Sequence, residues 1–91
     1  MEEMKKAVVT VLGIDCKGII ARVSNVLYGN DTNILDISQT VRSDYFHMIM
    51  IVDITHVAFE KLEAELTALG REMGLQIRIQ RSEIFEAMHQ I

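Results

Sequence analysis

The order of apolar patterns along this 91-residue chain predicts an α+β domain running strand, helix, strand, strand, helix, strand, with a short helical tail. Three observations predict it. A valine-rich run at 7–12 precedes two apolar stripes at helical spacing, at 19–27 and 59–73. Two alternating segments, 34–42 and 45–54, are separated only by Ser43 and Asp44. No proline interrupts any of these segments.

Val8, Val9, Val11 and Leu12 favour the pleated backbone and are apolar on both faces, which places the first strand in the middle of a sheet. Gly13-Ile14-Asp15-Cys16-Lys17-Gly18 then reverses the chain, and two glycines five positions apart suit a tight turn. Unpaired N–H groups in the helical turn that follows attract acceptors. Asp15 is the expected cap, and a ligand's acidic group is the alternative occupant.

Ile19, Ile20, Val23, Val26 and Leu27 form one face of the first helix, which the turn formers Gly29 to Asn33 end. In the second strand Leu35, Ile37 and Val41 alternate with Asp36, Ser38, Thr40 and Arg42, and Gln39 breaks the apolar side. Ser43-Asp44 predicts a two-residue hairpin without the glycine that such turns favour. The third strand carries Phe46, Met48, Met50, Val52 and Ile54 on one face and Tyr45, His47, Ile49, Ile51 and Asp53 on the other. Ile49 and Ile51 predict that the second face is also covered, by another subunit.

Thr55 is the expected cap of a second helix with the stripe Phe59, Leu62, Leu66, Leu69 and Met73, stopped at Gly74. Leu75, Ile77 and Ile79 alternate with Gln76, Arg78 and Gln80 as an edge strand. Ser82 opens a short helix bearing Ile84, Phe85, Met88 and Ile91, whose apolar stripe needs a docking surface on the same or a second chain. The whole is a ferredoxin-like βαββαβ sandwich: a four-stranded antiparallel sheet of order 4-1-3-2, two helices on one face, and the C-terminal helix. One domain spans 1–91, with its core at about 5–81 and the tail at 82–91.

Composition narrows the function. Thirteen acidic against nine basic residues give a net charge of −4, and the basic residues are dispersed, which argues against nucleic-acid binding. One cysteine makes no internal disulfide. The aliphatic run at 48–52 is too short for a membrane, and residues 1–6 precede no signal-type apolar core. A cytoplasmic protein is expected, and its small size favours self-association.

Cys16 lies near a helix N-terminus but has no general base nearby in sequence, so it reads as an ordinary loop cysteine. His47, His56 and His89 lack metal-ligand spacing, and no metal is expected. Asp36 and Asp53 read as solvated or paired strand carboxylates, and Ser38, Gln39 and Thr40 as a polar band for cross-strand or dimer contacts. The methionines Met48, Met50, Met73 and Met88 fit core gaps. No acid–base constellation marks an enzyme.

Gly13-x-Asp15-x-x-Gly18-Ile19 after the valine-rich strand, with Asn33-Ile34-x-Asp36-Ile37 opening the second, resembles the ACT domain. The segments 36–41 and 84–88 are similar to those of the small stand-alone, uncharacterised ACT proteins of bacteria and archaea. The resemblance runs from about residue 5 to the C-terminus. It implies a regulatory module without catalysis or cofactor, sensing an amino acid or related metabolite at a homodimer interface. Carried over by position, Gly13, Asp15, Gly18, Asn33 and Ile34 are the implied ligand contacts. The alternative is a structural or protein-interaction module with no small ligand.

Overall fold

In the computed structural model, which describes residues 4–83, Val9 and Val11 sit fully buried in the strand around which the sheet is assembled. That strand, β1 (Lys6–Ile14), is followed by α1 (Ile19–Gly29), β2 (Asn33–Arg42), β3 (Tyr45–Asp53), α2 (Phe59–Met73) and β4 (Leu75–Arg81). All strand pairs are antiparallel, and the order across the sheet is β2-β3-β1-β4, which is 4-1-3-2 counted from the other edge. Central β1 and β3 carry the apolar runs, and the more polar β2 and β4 form the edges. This is the distribution that the cost of burying unpaired polar groups demands.

Alternation divides the sheet into two faces. Ala7, Val9 and Val11 of β1, Phe46, Met48, Met50 and Val52 of β3, and Leu75, Ile77 and Ile79 of β4 point to the helices, and all are buried. They meet Ile19, Val23 and Leu27 of α1 and Leu62, Leu66 and Leu69 of α2. Ile20, expected on the apolar face of α1, is instead 39% exposed, because only the 19–23–27 row points squarely at the sheet. Arg22 Nη2 donates to Glu72 Oε1 at 2.6 Å and links the exposed flanks of the helices. Such an exposed pair contributes at most about 1 kcal/mol.

Three expectations are corrected. The first strand runs on through Gly13 to Ile14, so the loop shrinks to residues 15–18. The cap of α2 is not Thr55: Ala58 occupies that position without a side-chain bond. Thr55 instead donates its N–H and hydroxyl to Asp53 Oδ1, and its Oγ1 accepts the Lys5 N–H at 3.0 Å, closing the corner after β3. Leu35 falls in a register shift, with Ile34 opposite Val52 and Asp36 opposite Ile51, so β2 is not a regular alternating strand. The expected helical tail lies, from residue 84 on, outside the described residues.

Candidate functional site

The turn between β1 and α1 is shaped by two glycines with different tasks. Gly18 is the N-cap of α1 at φ 83°, a left-handed conformation costly for a residue with a Cβ. Gly13 lies inside β1, opposite Phe46 on one side and Leu75 on the other. A Cβ built there would lie 2.5 Å from Leu75 Cδ2 and 3.3 Å from its Cα, so glycine lets the start of β4 close against β1.

Asp15 does not cap the helix: no side chain caps α1, and its first turn contains no acidic residue. The Asp15 N–H donates to Asp44 O at 2.8 Å, anchoring the turn to the β2–β3 hairpin. That hairpin turn holds Ser43 at φ 49° and Asp44 at φ 69°, the left-handed pair expected of a two-residue connection. Sequence reasoning missed Asp44 as a partner of the turn. Its signal was present, since aspartate tolerates left-handed angles, but the partner of its carbonyl is distant in sequence. Asp15 and Cys16 are exposed.

Asn33 and Ile34 stand elsewhere. They pair with Asp53 and Val52 at one end of β3, whereas Gly13 pairs with Phe46 at the other. At about 3.4 Å per residue the two groups are roughly 20 Å apart. A single chain therefore brings Gly13, Asp15 and Gly18 together but does not bring Asn33 or Ile34 to them.

Antiparallel pairing of β2 with β2 of a second copy would reverse the strand and carry its residues 33 and 34 toward Arg42 and the hairpin turn, beside Asp15. Among the described residues, no strand pairs with the outer edge of β2. Leu35, Ile37 and Val41 along it are 39–53% exposed.

The remaining chemistry-bearing groups are scattered. His47 lies on the sheet face turned away from α1 and α2, opposite Thr40 and Leu12, and His89 lies outside the described residues. Asp36 Oδ1 accepts the neighbouring Ile37 N–H at 2.9 Å. The hydroxyl and amide of Thr55 hold the Asp53 carboxyl below its ordinary value, burial opposes them, and His56 adds a smaller lowering. No helix of the described residues is long and apolar enough to cross a membrane.

Comparison with known proteins agrees with this fold. The ACT domain model matches residues 5–80. A UPF0237 protein of Methanococcus maripaludis is 46% identical over 90 residues, covering 97% of this chain and all of that one. The structure of an ACT domain protein from Streptococcus pneumoniae superposes with a TM-score of 0.79 at 40% identity, covering 92% of this chain and 97% of the other. A glycine cleavage system transcriptional repressor shares the fold, with a TM-score of 0.80 at 22% identity over 89% of this chain and 47% of its own. With its glycine-shaped turn, its four-stranded sheet and relatives in both archaea and bacteria, the chain belongs to the family of ACT domains, which are regulatory ligand-binding modules.

Proposed function

We propose that this chain is a non-catalytic sensor that binds an amino acid, or a metabolite with the same carboxylate and ammonium groups, at the interface of a homodimer. The observation that carries the reading is the uncapped first turn of α1 behind Gly18, in a chain of the ACT-domain family. Backbone N–H groups there suit a carboxylate. The Asp15 carboxylate, exposed beside them, suits an ammonium.

Asn33 and Ile34 enter the same site only from a second copy, through antiparallel pairing of the β2 edges. Half-exposed Leu35, Ile37 and Val41 favour that pairing, because helices lying on the same side of both sheets would cover them. A ligand bound across two copies couples occupancy to assembly by its differential affinity for the pair.

Titration calorimetry with each common amino acid tests the proposal. We expect heat from at least one, abolished by Gly18→Val and by Asp15→Ala, with far-ultraviolet circular dichroism unchanged in Asp15→Ala. Silence from every amino acid in a folded, assembled protein removes the sensor reading and leaves the protein-interaction alternative. The broad apolar exposure, including Ile14 at 64%, favours that second reading.

A further inference from the structure

At the end of the sheet away from the β1–α1 turn, β1 and β4 diverge. Their pairing stops at Ala7 and Arg81, while Lys6 still pairs with Asp53 of β3 on the other side. The Lys5 N–H donates to Thr55 Oγ1 at 3.0 Å and its carbonyl accepts the Ile54 N–H at 2.8 Å, so the start of the chain is held to the β3 side of the gap. The gap is a hollow of about 430 Å³ whose walls include Met4, Lys5, Lys6, Ile54, Arg81 and Glu83. Such a volume suits a small metabolite. In a chain of net charge −4, three of the nine basic residues meet at this one place.

No carboxylate among the described residues forms an ion pair with any of the three. Asp53, opposite Lys6, directs Oδ1 at the N–H and hydroxyl of Thr55, and Glu83 brings one carboxylate to the wall. Three cations against that carboxylate leave two positive charges, which a dianion matches. Successive residues of a strand point to opposite faces, so Lys5 and Lys6 approach the gap from both. The Arg81 guanidinium lies 4.2 Å from the centroid of the Phe59 ring. Stacking by its face fixes the fork and leaves the N–H edge for the oxygens of an anion.

We propose that this hollow binds a phosphate monoester of a small organic molecule, its dianionic head among Lys5, Lys6 and Arg81 and its organic body against Met4 and Ile54. Ile54, 5% exposed, is a fixed apolar floor, and Met4, 51% exposed, is an adaptable wall. Seven residues of β1, roughly 24 Å, separate Lys6 from Gly13. The site is therefore distinct from the amino-acid site at the turn and stands or falls without it.

An amide NMR titration of the full chain at constant ionic strength tests it, with glycerol 3-phosphate and inorganic phosphate as probes. Expected are saturable shifts at Lys5, Lys6, Ile54 and Arg81, no shift in the turn at 13–18, and tighter binding of the ester than of inorganic phosphate. The double variant Lys5→Gln, Lys6→Gln should bind the ester about tenfold more weakly with unchanged circular dichroism. It spares the fold, because both side chains are exposed and the Lys5 hydrogen bonds use its backbone. Arg71→Gln, which removes an exposed charge from the last turn of α2, should bind as the wild type does. The absence of saturable shifts overturns the proposal, as do equal binding of ester and inorganic phosphate, undiminished affinity in the lysine double variant, and an equal weakening in Arg71→Gln.

Discussion

At the scale of single residues, backbone angles decide more than side-chain chemistry. Gly18 holds φ 83° with nothing within 4 Å of its missing Cβ, so Gly18→Ala costs conformational strain and no clash. A loss of about 1–2 kcal/mol is expected, read by urea unfolding. Ser43 and Asp44 sit at left-handed angles that Asn-Gly adopts more readily. The double change Ser43→Asn, Asp44→Gly should therefore raise stability by about 0.5–1 kcal/mol, or several degrees in melting temperature.

Asp53 adds a pH dependence. Its folded-state value lies below the ordinary 3.8, so its contribution is present above that value and fades as pH falls through the lower, folded-state one. Acid titration of stability should show a drop in this window that Asp53→Asn lacks.

The secondary-structure elements differ in how well the sequence announces them. The α2 stripe of Leu62, Leu66 and Leu69 and the doubly apolar β1 were legible, because periodicity reports burial directly. The Leu35 shift was not legible, since a bulge changes register without changing composition. The fates of Thr55 and Asp15 were hidden for another reason. Thr55 is drawn into the Asp53 corner and the Asp15 amide to Asp44, by contacts that propensity does not encode.

The outer edge of β2 carries its own prediction at this scale. If two β2 strands pair, those amides of β2 that point away from β3 exchange slowly in concentrated protein and quickly on dilution. Equal exchange at both concentrations would exclude edge pairing.

For the whole molecule, the fold was readable because each element's pattern agreed with one topology, down to the order of strands across the sheet. The five contacts that the resemblance implies do not form one place in a single copy, which sets Asn33 and Ile34 a full sheet length from Gly13, Asp15 and Gly18.

That separation has a quantitative outcome under the proposed pairing. A lone molecule owns two unmatched halves of a receptor, so coupling two copies completes two receptors at once and the expected stoichiometry is one amino acid per chain. Diluting the protein below its pairing threshold should then make it deaf to the metabolite at any metabolite level, so that its response meters its own cellular abundance as well as the nutrient.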